Sequence, residues 1–184
     1  MIVPLVLAAA LAAQSGSWLD RPLTKWNAAG ATMPAPPASQ EARPALARRC
    51  ASLVASGSAV DALVTTAGWV PFLHLDRRIT RDDVEVVGGM AAAGPACDPT
   101  VFNLFVFVRG RFAGALSPAS MSTSRDGAAG SVRLTGPDAM TTEFARYTAA
   151  DSECCPSSVV RVSYRLNRAG AAAVLEAVEA RRVR

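Results

Sequence analysis

Four cysteines constrain the fold of this chain more than any other feature of its sequence: Cys50, Cys97, Cys154 and Cys155. An even number of cysteines in an exported chain favours two disulfides. Neighbouring side chains of an extended segment point to opposite sides, so we expect Cys154 and Cys155 to take different partners. Cys50 then pairs with one of them and Cys97 with the other, and both pairings stay open. Each disulfide would close a loop of roughly 60 to 100 residues and would stabilise the folded state by about 4 kcal/mol through the lost entropy of the unfolded chain.

Two other uses of the cysteines compete with disulfides. A zinc site of four thiolates is one alternative, but the sequence has no C-x-x-C pair, and adjacent cysteines rarely bind one metal together. Free or redox-active thiols are the other alternative. We expect disulfides, with no bound metal and no cofactor.

The first residues indicate export. Residues 1–13 read MIVPLVLAAALAA, an apolar run with an A-x-A cleavage pattern at Ala10 and Ala12. The run has the length of the apolar core of a signal peptide and is too short to span a bilayer. No basic residue precedes it, so a buried N-terminal element is the alternative. The first cysteine after it is Cys50, so we expect no lipid-anchored cysteine, no stable membrane anchor, and a periplasmic or secreted protein.

The remaining chain predicts an α+β domain. Residues 14–40 form a Pro/Ala-rich N-terminal arm, which Trp18 and Trp26 would pin to a single globular domain, residues 41–184. Apolar residues on both faces of the segment 101–108 predict a covered central strand, followed by a hairpin turn at Arg109-Gly110. We expect one antiparallel sheet, with helices packed against it. The predicted helices cover residues 41–54, residues 58–67, the segment through Met140, Phe144 and Tyr147, and residues 171–183.

The charge of the chain does not indicate nucleic-acid binding. The net charge is +4, with Lys25 as the only lysine and the arginines scattered along the sequence. Nucleic-acid recognition needs a focused basic patch. We therefore expect no nucleic-acid partner.

Few residues qualify as a candidate site. His74 is the only histidine, and no partner for catalysis is apparent from the sequence. Asp82 and Asp83 are adjacent, and neighbours on a strand point apart, which makes them a poor acid–base pair. Arg125 and Asp126, beside the turn glycine Gly127, are the possible ligand-binding residues, for an anionic or glycan ligand. A salt-bridged turn that caps the sheet is the structural interpretation of that pair, and it is the one that we favour.

Three segments in a fixed order resemble a known family. They are FVFVRGRFAGALSPASMSTSRDGA (105–128), FARYTAADSECCPS (144–157) and VVRVSYRL (159–166). Together they resemble the LppP/LprE lipoproteins of bacteria, envelope-associated domains of unknown function, and the likeness covers roughly residues 68–166. The resemblance implies an exported, cysteine-bonded domain and transfers no catalytic or binding residue. This chain differs from the lipoproteins in lacking a cysteine directly after the signal-like run.

These observations favour a non-enzymatic binding or structural module of the envelope, or of the secreted fraction. Its partner would be an envelope component or an extracellular protein. A thiol-based redox protein or hydrolase, using Cys154 or Cys155, is one alternative, and a secreted inhibitor-like binder is another. No catalytic set is apparent in the sequence, so an enzyme is the less favoured class.

Overall fold

The computed structural model describes residues 16–73, 79–148, 150–152 and 155–183. Within these residues the chain forms ten strands and three short α-helices. The predicted signal peptide (1–13), His74 and Cys154 lie outside the described residues. The helices are α1 (Arg43–Arg49), α2 (Ala59–Thr66) and α3 (Thr123–Asp126). The strands are β1 (Val70–Phe72), β2 (Ile79–Arg81), β3 (Val84–Ala93), β4 (Pro99–Val108), β5 (Arg111–Ala115), β6 (Met121–Ser122), β7 (Ala128–Leu134), β8 (Ala139–Arg146), β9 (Ser158–Asn167) and β10 (Val174–Arg182).

The strands form two antiparallel sheets. The first, sheet A, has the order β1-β3-β4-β5, with β2 also paired to β3 and β6 also paired to β4. The second, sheet B, has the order β10-β9-β8-β7. Every pairing between the described strands is antiparallel, and most pairs join strands that follow one another in the chain.

Two apolar clusters divide the molecule into layers. The larger cluster lies between the sheets: Phe102, Leu104 and Val106 of β4 join buried side chains of β8 and β9. The smaller cluster lies on the opposite face of sheet A, where α2 covers Phe105 and Phe107. The prediction that β4 is covered on both faces is therefore confirmed.

The turn after β4 is also as predicted. Arg109 and Gly110 have φ angles of 51° and 72°. Positive φ at both central residues is the geometry of the two-residue hairpins that match the twist of the flanking strands. β4 and β5 consequently pair directly, from Val108 opposite Arg111.

The predicted α+β class, with one sheet, is wrong, because two segments expected to be helical are strands. Met140 and Phe144 are four residues apart and fit a helix face, but the buried residue between them is Thr142, which gives the alternation of a strand. The C-terminal segment forms β10, in which Leu175 is buried. Pairing with the edge of β9 outweighs the helix preference of its Ala, Glu and Arg residues.

The predicted pair of disulfides is also wrong. The described residues contain one disulfide, and it joins Cys50 to Cys97, with a Cα–Cα distance of 5.5 Å. Neither of the two pairings expected from the sequence occurs. Cys50 follows α1, and Arg49 beside it donates to the carbonyl oxygens of Ala93 and Gly94. These contacts bring the end of α1 against the β3–β4 loop that carries Cys97.

The N-terminal arm packs onto the domain through its two tryptophans, as predicted. The Trp26 indole donates to the carbonyl oxygen of Ala115 at 2.9 Å, and Trp18 packs edge-on against Phe144. Asn27 contacts both sheets: its amide nitrogen donates to the carbonyl oxygens of Ala115 and Leu175. The arm therefore links the two sheets.

Candidate functional site

A groove opens at one end of the two packed sheets. It has a volume of about 820 Å³. The β3–β4 loop and the end of β1 line one side, and α3, the start of β7 and the chain after β8 line the other. We call it the end groove, and its apolar lining includes Leu53, Phe72, Leu73, Pro99, Phe102 and Tyr147.

The apolar lining of the end groove is continuous with the protein core. Phe72 and Phe102 belong to the cluster between the sheets and are almost fully buried. Tyr147 is more exposed, at 38%. An apolar molecule in the groove would therefore replace water on side chains that already pack against the core.

The α3 side of the groove is held by the residues that the sequence singled out. Asp126 is buried, and its Oδ2 accepts from the backbone nitrogen of Ser122 at 2.9 Å and from the Arg125 guanidinium at 2.7 Å. The hydrogen bond to Asp126 raises the pKa of Arg125. This arrangement fixes α3, so that Thr123 and Ser124 line the groove.

Gly127 completes the same turn. Its φ is 85°, and a Cβ at this position would overlap the carbonyl oxygen of Ala145 on β8. Glycine is therefore required by conformation and by space. Arg125, Asp126 and Gly127 thus form a salt-bridged turn beside the groove, and direct ligand contact by Arg125 and Asp126 stays a prediction.

One oxygen of Asp126 has no hydrogen-bond partner among the described residues. Oδ1 is buried, and no donor contacts it within the described part of the chain. Buried carboxylate oxygens are usually satisfied. The three hydrogen bonds that this carboxylate accepts from Ser122 and Arg125 all reach Oδ2, which leaves the side chain anchored at one atom.

Two carboxylates lie on the lining of the groove. Asp98 is exposed in the β3–β4 loop, and Asp151 is half-buried in the β8–β9 loop. The Asp151 Oδ2 accepts from the Ser157 hydroxyl and from the backbone nitrogens of Thr148 (2.7 Å) and Ser157 (2.9 Å). These hydrogen bonds, the Ser157 hydroxyl foremost, lower the pKa of Asp151 to about 2. Asp151 is therefore ionised at neutral pH.

The disulfide lies beside the groove. Cys97 is next to Asp98 in the chain, and Cys50 is three residues before Leu53. The bond consequently tethers two segments of the lining to each other. Cys155 is an exposed free thiol, so the predicted role of Cys155 in a disulfide is wrong.

The described residues contain neither a metal-binding cluster nor a membrane-spanning helix. No group of three or more His, Cys, Asp or Glu side chains in that part of the chain could hold a metal ion. The same residues contain no helix long and apolar enough to cross a membrane.

Sequence reasoning found the α3 turn but not the groove beside it. The Asp126-Gly127 pair gave a local turn signal, whereas the apolar lining comes from segments far apart in the chain. Asp98 and Asp151 carry no motif that would have identified them. Only the meeting of the two sheets reveals that these residues share one surface.

One of the comparisons with known proteins finds a match. No curated protein and no solved structure matches the chain. The sequence model of the LppP/LprE lipoprotein family matches residues 83–169. That range runs from the start of β3 past the end of β9 and includes Asp98, α3 and Asp151. A match to a lipoprotein family indicates an envelope-associated protein. Residues 83–169, somewhat under half of the chain, therefore match the LppP/LprE lipoprotein family, which supports the resemblance found in the sequence.

Proposed function

We propose that this protein is a non-enzymatic binding module of the bacterial envelope, periplasmic or secreted, that holds a small apolar ligand in the end groove. The observation that carries the proposal is the groove itself. Its volume of about 820 Å³ falls within the range of roughly 300 to 1,000 Å³ that is typical of small-molecule sites. Protein interfaces are commonly flatter and larger.

The chemistry of the lining supports an apolar ligand. Small-molecule sites are predominantly apolar, with a few polar groups that orient the ligand. The end groove follows this pattern, with Leu73, Phe102 and Tyr147 as apolar surface and Thr123 and Ser124 as hydroxyl groups. A ligand that buries about 200 Å² of apolar surface of its own would gain about 5 kcal/mol before the costs of association.

The surroundings of the groove support a preformed site. The Cys50–Cys97 disulfide ties the end of α1 to the β3–β4 loop. On the other side, the Asp126 carboxylate holds the turn that presents Ser124. Fixed walls reduce the ordering cost of binding.

The proposal is tested with a neutral apolar dye, N-phenyl-1-naphthylamine, whose fluorescence rises in apolar surroundings. We expect saturable binding to the full chain. In Ser124→Trp the new indole occupies the groove, so we expect dye affinity to fall at least about tenfold, the equivalent of about 1.4 kcal/mol. Ala62→Trp adds the same side chain on the exposed face of α2, away from the groove, and should leave affinity unchanged.

Two results would contradict the proposal. Absence of dye binding to the unaltered chain would remove the apolar site. Equal affinity in Ser124→Trp and Ala62→Trp would place the dye elsewhere. The location of the protein is tested separately, by fractionation of its native host, where recovery from the cytoplasm would contradict an envelope role.

A further inference from the structure

We infer that the natural ligand of the end groove is a small amphiphile with a cationic group at its polar end, such as an alkylammonium compound, recognised by Asp98 and Asp151. The inference rests on the proposed function and adds the charge of the ligand. It follows from the charges on the lining, their partners and the basic residues nearby.

Asp98 is held in place by its backbone and not by its carboxylate. Its carbonyl oxygen accepts from the backbone nitrogen of Gly94 at 2.9 Å, and Gly94 accepts in turn from the nitrogen of Cys97 at 3.0 Å. Cys97 is fixed by the disulfide. Asp98 lies on the groove lining, and no donor or cation in the described part of the chain contacts its carboxylate.

Asp151 contributes a second negative charge from the loop of the other sheet. Its three hydrogen bonds from Thr148 and Ser157 all reach Oδ2. Neutral donors supply all of them, so they stabilise the ionised carboxylate without cancelling its charge. Oδ1 accepts none of these three bonds.

The basic residues that the structure describes near the groove are already engaged. No Lys, Arg or His is among the described residues that line it. Arg49, behind the β3–β4 loop, is paired with Glu41 at 2.7 Å and donates to the carbonyl oxygens of Ala93 and Gly94. Arg125 is paired with Asp126 at 2.7 Å. Among the described residues, an anionic head group would therefore meet two carboxylates and no available cation.

The combination of an apolar surface and uncompensated carboxylates selects for a cation joined to an apolar body. The apolar body supplies affinity through burial, and the charge supplies discrimination, because like charges on the lining disfavour an anionic competitor. A neutral amphiphile of the same length would bind, but less tightly.

The test compares three probes with the same eight-carbon chain: octylammonium, 1-octanol and octanoate, at pH 7 and low salt. Binding is followed by NMR titration of the full chain, which also shows whether the groove residues respond. We expect octylammonium to bind at least about fivefold more tightly than octanol and octanoate to bind most weakly. The preference for the cation should shrink as NaCl is raised, because exposed charges are screened.

A matched pair of variants isolates the carboxylate. Asp98→Asn removes one charge and should lower the octylammonium affinity about two- to fivefold, with the octanol affinity unchanged. Glu179→Gln removes one charge from an exposed position on β10, outside the groove lining, and should change neither affinity.

The outcomes separate this inference from the proposed function. Equal affinity for the three probes, or tighter binding of octanoate, would overturn the cationic ligand while leaving an apolar site. The same loss of octylammonium affinity in Asp98→Asn and Glu179→Gln would also overturn it, because the effect would then reflect net charge. Failure of all three probes to perturb the groove would overturn the proposed function as well.

Discussion

At the scale of a single residue, one side of the groove depends on Gly127, which lies where α3 ends and β7 begins. Its backbone has a φ of 85°, and the carbonyl oxygen of Ala145 occupies the space where a side chain would start. We expect Gly127→Ala to lower the free energy of unfolding by more than about 1 kcal/mol, because the native conformation does not accommodate a Cβ. Chemical denaturation measures the change.

Gly136→Ala is the matched control for Gly127→Ala. The nearest atom to a Cβ at Gly136 is the Ala139 Cβ, 3.6 Å away, an ordinary contact. The free energy of unfolding should therefore stay within about 0.5 kcal/mol of the unaltered chain. Equal destabilisation by both substitutions would contradict the special role of Gly127.

Asn27 makes the contacts that join the arm to both sheets. Its Nδ2 donates to the carbonyl oxygens of Ala115 and Leu175, each at 3.0 Å, and its Oδ1 accepts from the Ala115 nitrogen at 2.9 Å. We expect Asn27→Ala to cost about 1 to 3 kcal/mol of unfolding free energy, because partly buried backbone groups would lose their partner.

Asn167→Ala is the corresponding control for Asn27→Ala. Asn167 is exposed, and its Nδ2 donates to the Glu176 carboxylate. Water replaces such a bond at little cost in free energy, so the midpoint temperature of thermal unfolding should fall much less than in Asn27→Ala. If Asn27→Ala were as stable as Asn167→Ala, the arm would not hold the sheets together.

At the scale of elements, the disulfide joins α1 to the β3–β4 loop across 47 residues of chain. Removing it with Cys50→Ala and Cys97→Ala frees the unfolded chain, and we expect a loss of about 4 kcal/mol in unfolding free energy from loop entropy. Cys155→Ala removes an exposed free thiol and should leave stability nearly unchanged.

The cysteine pairing also gives a prediction that can be tested on the unaltered protein. Alkylation of the native protein without reduction should modify Cys155 and leave Cys50 and Cys97 unmodified until a reductant is added. Peptide mapping by mass spectrometry reads out each site. Protection of Cys155 from alkylation before reduction would contradict the observed pairing.

At the scale of the whole molecule, an ionic network ties the start of β3 to the end of β9. Arg168 donates to both oxygens of Asp83, at 2.8 and 2.9 Å, and also to Asp138, while Arg109 donates to Asp83 at 3.0 Å. The hydrogen bonds from Arg168 chiefly, and from Arg109, lower the pKa of Asp83 to about 2. The family match begins at Asp83 and ends one residue after Arg168.

The lowered pKa of Asp83 predicts how stability depends on pH. The pKa of Asp83 in the folded protein is below the ordinary value of 3.8. The ionised Asp83 carboxylate therefore contributes fully to the free energy of unfolding above about pH 4, and this contribution is lost as the pH falls towards 2. We expect Asp83→Asn to be less stable than the unaltered chain at pH 6, with the difference closing as the pH approaches 2. Denaturant midpoints at several pH values measure it.

Asp82→Asn is the control for that pH series. The Asp82 side chain is 72% exposed, and its nearest ionic partner, Arg81, is 3.9 Å away. Asparagine also tolerates the positive φ of 52° at this position. The denaturant midpoint of Asp82→Asn should therefore equal that of the unaltered chain at every pH. A pH-dependent difference like that of Asp83→Asn would contradict the assignment of the effect to Asp83.

The prediction of the fold from the sequence succeeded where local signals were unambiguous. The β4 strand and the hairpin at Gly110 each follow from a short segment and agree with the structure. The capping box of Ser58 and Asp61 begins α2 close to its predicted start. In each case the residues that decide the conformation lie within one turn or one strand.

The prediction failed where two local conformations fit the same residues. Met140 and Phe144 satisfy both a helix and a strand, and the residues of β10 favour a helix when considered alone. Their strand conformation depends on the neighbouring strand β9, which pairs with both. Cysteine pairing failed for a related reason, because α1 packing against the β3–β4 loop brings Cys50 to Cys97.

The sequence by itself therefore indicated the likeness to the LppP/LprE lipoproteins, and it determined the α3 turn and the apolar character of the central strand. Each of these depends on residues adjacent in the chain or on their order along it. Only the tertiary structure decided the two-sheet architecture, the Cys50–Cys97 bond, and the end groove with Asp98 and Asp151 on its lining. These features arise from contacts between segments distant in the chain, and those contacts are formed by the packing of the two sheets as a whole.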